Sequence, residues 1–150
     1  TNNPNAYGNL HAKKKSIPYL DVDTKRRNYE NILLTEIRRR KISLICLAGY
    51  MKIISKSFIN KCGKKIINIH PSLLPKYKGL NTFQRALKSN EKLTGCTVHF
   101  VNEKLDSGKI ITKKKVNIYK DDNVETLKKK VQSEEYKAYS TAIRKIYSLN

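Results

Sequence analysis

Two residues able to do chemistry stand two positions apart, Asn68 and His70, in the stretch Lys65-Ile66-Ile67-Asn68-Ile69-His70-Pro71-Ser72-Leu73-Leu74-Pro75. An amide is a fixed hydrogen-bond donor. A free imidazole titrates near pH 6.5 and can hold or pass a proton. The β-branched run around them reads as a strand, and residues i and i+2 of a strand share a face. Amide and imidazole therefore emerge side by side where the strand ends. Pro71 cannot continue a ladder and biases His70 toward extended backbone. Pro75 and Gly79 shape the loop that follows. Polar groups at the carboxyl end of an apolar strand stand where open α/β sheets place their sites. Taken alone, the pair is read equally well as a strand-end histidine satisfied by a neighbour, beside a turn-forming asparagine.

The elements that must position this pair follow from pattern and punctuation. A short helix is expected over 6–15 with Asn5 as its cap, then a strand over 17–22. Asp23 or Thr24 caps a helix over 25–40, whose apolar stripe is Tyr29, Ile32, Leu33 and Ile37. The continuous apolar run 43–48 reads as a strand buried on both faces. A helix over 55–61 leads into the strand 65–69. This alternation predicts a parallel sheet with right-handed crossovers. After a helix over 82–89, the strands 94–101 and 110–118 are close enough in sequence to form an antiparallel pair. Asp121 to Asn123 cap a long helix over 124–147, which buries Leu127, Val131, Tyr139, Ala142, Ile143 and Ile146. The fold class is α/β, a Rossmann-like parallel sheet extended by an antiparallel pair, with a long C-terminal helix.

A chain of 150 residues fits one domain, 1–150, with a real core, and a hydrophobic content of 39% argues against disorder. No apolar run reaches membrane-spanning length, so no membrane partner is expected. Cys46, Cys62 and Cys96 are odd in number and include no C-x-x-C pair, which points away from a disulfide framework or a zinc site and toward a reducing cytoplasm. Cys46, inside an apolar run, reads as packing. The net charge of +20 raises the question of nucleic acid. The basic runs 13–15, 38–40, 113–115 and 128–130 are scattered, however, and lysine far outnumbers arginine in a chain also rich in Ile and Asn. A compositional bias that loads the surface with lysine accounts for this, and nucleic acid is not an expected partner.

Longer motifs carry a resemblance. Leu47-Ala48-Gly49-Tyr50-Met51-Lys52-Ile53-Ile54, then Asn68 to Pro75 with Gly79, then Thr94-Gly95-Cys96-Thr97-Val98-His99-Phe100-Val101, then Leu105-Asp106-Ser107-Gly108 resemble the folate-dependent formyltransferases, from Thr1 to about Tyr147. Within that superfamily the chain is most similar to the members that act on glycinamide ribonucleotide in de novo purine synthesis. Methionyl-tRNA formyltransferases carry Arg-Gly-x-x-Pro where this chain has Lys78-Gly79-Leu80-Asn81-Thr82, and formyltetrahydrofolate hydrolases carry a second His where it has Pro71. Phe83 stands where family members carry His or another polar residue.

The resemblance implies attack of a primary amine on the formyl carbon of the co-substrate 10-formyltetrahydrofolate, through a tetrahedral anion. Asn68 and a protonated His70 would donate to the oxyanion, and Asp106 would be the carboxylate that supports His70. Met51, Lys52, Ile53, Ile54, Ile59, Ile66 and Val101 would form the folate pocket. Gly49, Pro71, Gln132 and Glu135 would contact the ribonucleotide. Read without the family, Gln132 and Glu135 are an exposed helix face, and Ile53 and Ile59 are core. No metal is required, and His11, His70 and His99 lack ligand spacing. The Leu74-Pro75 bond is expected to be cis. In relatives a strand, a Gly-Ser-Asn phosphate loop, a helix and a second strand precede the point matching Thr1, so the resemblance implies an N-terminally truncated fragment. The partners implied are small molecules, with the chain a monomer or a homodimer. The other readings are a formyltransferase with another acceptor, such as methionyl-tRNA, and an inactive folate-binding fragment.

Overall fold

In the computed structural model, which describes residues 1–149, the central strand is β3 (Leu93–Phe100), buried along almost its whole length. Around it the order is α1 (Tyr7–Lys14), α2 (Tyr29–Arg39), β1 (Leu44–Leu47), α3 (Lys56–Cys62), β2 (Lys65–His70), α4 (Thr82–Lys88), β3, β4 (Ile110–Asn117) and α5 (Val124–Tyr147). The sheet order is β1-β2-β3-β4. β1 runs parallel to β2, while β3 is antiparallel to both β2 and β4. The expected antiparallel pair is therefore present, and the sheet is mixed, with one parallel pair among the described residues.

Two apolar layers cover the sheet. On one face α5 packs Val131, Ala138 and Ala142 against Ile67, Cys96 and Val98. On the other, Leu34 of α2 and Phe58 and Cys62 of α3 pack on Ile66. Strand alternation divides β2 between the layers, with Ile67 and Ile69 toward α5 and Ile66, Asn68 and His70 toward the opposite side. α5 begins at a capping box, in which the Asn123 side chain accepts from the Glu125 and Thr126 amides and Thr126 Oγ1 accepts from Asn123 N–H. Farther along, Tyr139 donates its hydroxyl to Leu47 O at 2.6 Å, beside Ile67 O at 3.2 Å. The helix is thus tied to the C-terminal end of β1 and the middle of β2.

Four expectations are corrected. Residues 17–22 form no strand; their backbone bonds run to Ala12 and Thr1, and a strand pattern makes no ladder without a strand beside it. Asn5 does not cap α1, whose N-cap is Ala6 without a side-chain bond. α2 starts at Tyr29 because Asp23 accepts from Lys25 N–H in a turn instead of capping a helix, and the stripe centres on Leu34. Cys46 is exposed on β1, which stands at the edge of the sheet with no further strand beside it among the described residues. The Leu74-Pro75 bond is cis, as the resemblance implied.

The cap of α5 is a separable contribution. Asn123→Ala is expected to cost about 1 kcal/mol, the usual loss for an N-cap asparagine, read as a lower urea midpoint with unchanged slope.

Candidate active site

The antiparallel pairing of β2 and β3 sets Asn68 opposite His99 and His70 opposite Thr97. Beside His99 the β3–β4 register slips, Val98 facing Thr112 while His99 faces Ile110, a bulge of the kind that re-aims side chains near sites. The segment 102–108 then returns over the end of β2. It closes tightly at Gly108, where a Cβ would lie 1.7 Å from Phe100 O, so only glycine permits the approach. This return brings Asp106 between the two histidines.

The carboxylate of Asp106 is almost fully buried, as are both rings. Its Oδ2 accepts from Gly79 N–H at 2.9 Å and lies 3.3 Å from His70 Nδ1. Its Oδ1 lies 3.6 Å from His99 Nε2. His70 Nε2 donates to Tyr77 O at 2.8 Å. With Nε2–H committed to a carbonyl, the proton that the ring can share with Asp106 sits on Nδ1. His99 Nδ1 donates to Phe100 O at 2.9 Å, leaving Nε2 as the lone-pair nitrogen, 3.5 Å from Asn68 Nδ2. Burial pulls the His99 imidazole below its usual range, which favours this neutral form. The Asn68 amide therefore turns its NH₂ toward His99.

The loop supplying Tyr77 O and Gly79 N–H is locked from below. Thr97, fully buried, donates to Ser72 O at 2.7 Å and accepts from Leu74 N–H at 3.1 Å. Ser72 donates to Lys76 O at 2.5 Å, and Lys113 bonds Leu74 O. Arg85 of α4 donates to Lys78 O at 2.7 Å, and Lys78 reaches Ser107 Oγ at 2.6 Å. The loop after β2 and the loop after β3 are thereby joined around Asp106.

These groups open on a cavity of about 760 Å³. Asn68, His70 and Asp106 line it, together with Met51, Lys52, Ile53, Ile54 and Val101 and with Gly49, Pro71, Gln132 and Glu135. Burial raises the Glu135 carboxyl above the usual range. Ile59 and Ile66 lie outside the cavity, in the cluster with Leu34 and Phe58. Ile66 shares the face of Asn68 and His70 but sits two residues deeper, under α2 and α3. The Lys52 ammonium turns away to Thr24 O at 2.5 Å. Phe83 lines the cavity and packs against the α5 layer. The place of His99 beside Asn68 follows from strand register, which no local pattern displays. Among the described residues no group of three or more His, Cys, Asp or Glu is placed to hold a metal ion, and no helix is long and apolar enough to cross a membrane.

Comparison with known proteins bears on this geometry. The formyl transferase family profile matches residues 1–143. The chain is 41% identical over 150 residues to the phosphoribosylglycinamide formyltransferase of Haemophilus influenzae, spanning 96% of this chain and 70% of that protein. It is 37% identical over 141 residues to the human trifunctional purine biosynthetic protein adenosine-3, of which it spans 14%. The crystal structure of phosphoribosylglycinamide formyltransferase from Bacillus halodurans superposes with a TM-score of 0.92 at 34% identity, over 99% of this chain and 78% of that one.

The lock beneath the loop can be opened with one isosteric change. Thr97→Val leaves Leu74 N–H buried without a partner, and the expected cost is about 1–3 kcal/mol in chemical denaturation. A variant as stable as the parent would mean that Thr97 does not hold the loop.

Proposed function

Because this chain belongs to the formyl transferase family, we propose that it transfers the formyl group of 10-formyltetrahydrofolate to the amine of glycinamide ribonucleotide, a step of de novo purine biosynthesis. The observation that carries this reading is the convergence of Asn68, His70 and Asp106 on one cavity that also has an apolar wall. Amide, imidazole and carboxylate are the groups that acyl transfer to an amine needs.

The amine attacks the formyl carbon, a C–N bond forms, and the carbonyl electrons move onto oxygen. The Asn68 NH₂, one hydrogen directed to His99, has its other hydrogen for that oxyanion. His70 supplies the second donor from Nδ1, exchanging its 3.3 Å contact with Asp106 for the substrate while Nε2 stays on Tyr77 O. Collapse breaks the bond to the folate nitrogen, which leaves with a proton from His70. The proton lost by the attacking amine passes to Asp106, directly or through water, and returns to His70. Atoms and charge balance without a metal.

Met51, Ile53, Ile54 and Val101 supply the apolar wall for the pterin, with backbone groups of 49–54 at its edge. Gln132 and Glu135, one helical turn apart on α5, face the same cavity and serve the ribonucleotide, together with Gly49 and Pro71. The setting that suits this chemistry is the cytoplasm, with small molecules as partners.

In the intact enzyme, His70→Ala is expected to lower kcat by about a hundredfold or more, the scale of losing one oxyanion donor, with little change in folate affinity. Radiolabelled formyl transfer should proceed to glycinamide ribonucleotide and not to methionyl-tRNA. A kcat within a few fold of the parent would remove His70 from the mechanism, and transfer to the tRNA would reassign the acceptor.

A further inference from the structure

The wall of the cavity contributed by residues 49–54 has little packing of its own. Met51 is 80% exposed and Ile53 76% exposed, and the segment follows edge strand β1 without regular structure. Ile54 packs on the cluster of Leu34 and Phe58 and holds the end of the segment, but apolar burial does not fix the rest of its course. Three polar anchors do, and all end on α2 or the turn before it. The Tyr50 hydroxyl meets the Tyr29 hydroxyl at 3.3 Å. The Lys52 ammonium donates to Thr24 O and lies 5.1 Å from the centre of the Tyr29 ring, a cation–π distance. The Glu30 carboxylate accepts from Ser55 N–H at 3.0 Å and from Ser55 Oγ at 2.5 Å. Tyr29 takes part in two of the three anchors, and it does not line the cavity.

We propose that Tyr29 is a positioning residue, which through Tyr50 and Lys52 holds the 49–54 wall in its binding shape and so sets the affinity for the folate co-substrate. The inference rests on the formyltransfer reading above. Its physical basis is that ordering a segment at the moment of binding subtracts from affinity, and a wall already anchored avoids that cost. The formyl carbon reacts at Asn68 and His70, on β2, which Tyr29 does not touch. Loss of the anchor should therefore weaken binding and leave the chemical step alone. Lys52 in this arrangement acts from behind the wall, its charge spent on Thr24 O and the Tyr29 ring.

Two variants of the intact protein separate the anchors. Tyr29→Phe keeps the ring beneath Lys52 and removes the hydroxyl pair, while Tyr29→Leu removes both. Three readouts are needed: trypsin cleavage after Lys52 without ligand, the Kd for a deaza analogue of 10-formyltetrahydrofolate, and steady-state kinetics with each substrate varied. The expected result for Tyr29→Leu is cleavage about tenfold faster, donor Kd and KM about fivefold higher, a smaller rise in ribonucleotide KM through Gly49, and kcat within about twofold, with Tyr29→Phe intermediate. Unchanged cleavage and unchanged donor affinity in both variants would overturn the proposal. So would a fall in kcat as large as the rise in KM, which marks general disruption. If the parent protein neither binds the analogue nor transfers formyl, the formyltransfer reading fails instead, and the cleavage rates alone decide whether Tyr29 anchors the wall.

Discussion

One buried carboxylate organises the site. Asp106 has lost nearly all contact with water, and a buried charge is tolerable only where it is paired and hydrogen-bonded. Its partners come from separate parts of the chain: the Gly79 amide from the loop after β2 and the His70 ring from the end of β2. Neither can move far without weakening the compensation of the charge. This requirement aligns two loops that a side-chain bond between Lys78 and Ser107 also joins.

The rest of the structure secures those partners. The β2–β3 ladder fixes Asn68 against His99, and the Thr97, Ser72 and Lys113 bonds hold the loop that presents Tyr77 O and Gly79 N–H. The two histidines stand in different settings. Burial favours the neutral form of His99, which presents a lone pair to Asn68, whereas His70 keeps its carbonyl bond through Nε2 and turns Nδ1 to Asp106. The proposed chemistry thus draws on contacts that also hold the fold, and a change that loosens the loop after β2 reaches the ring of His70 through Tyr77.

How much of this could be read from the residues depended on how local each feature is. The bounds of α5 follow from Asn123 and the spacing of Leu127, Val131 and Ala142, all within one helix, and the structure has the same bounds. Ala138 was missed because a small residue adds little to a pattern, although it is fully buried. Residues 17–22 carry strand-like residues, but a ladder depends on a neighbour that sequence pattern does not reveal. Asp23 can cap a helix or close a turn, and it closes a turn. Asn68 and His70 announced themselves by spacing, whereas Asp106 was identified only through family resemblance. His99 required the strand register, and the direction taken by Lys52 could not be read at all. Ile66 has the parity of the site residues and the depth of the core, and depth decided where it went.

In the proposed reaction His70 and Asp106 act as one unit. A double-mutant cycle read by kcat tests it most directly, using His70→Ala, Asp106→Asn and the pair in the intact enzyme. Residues that act together are strongly non-additive. The double variant is expected to be about as slow as the slower single variant, so that Asp106→Asn costs little once His70 is gone. Losses that multiply fully, each replacement slowing the reaction by the same factor whether or not the other residue is present, would contradict it.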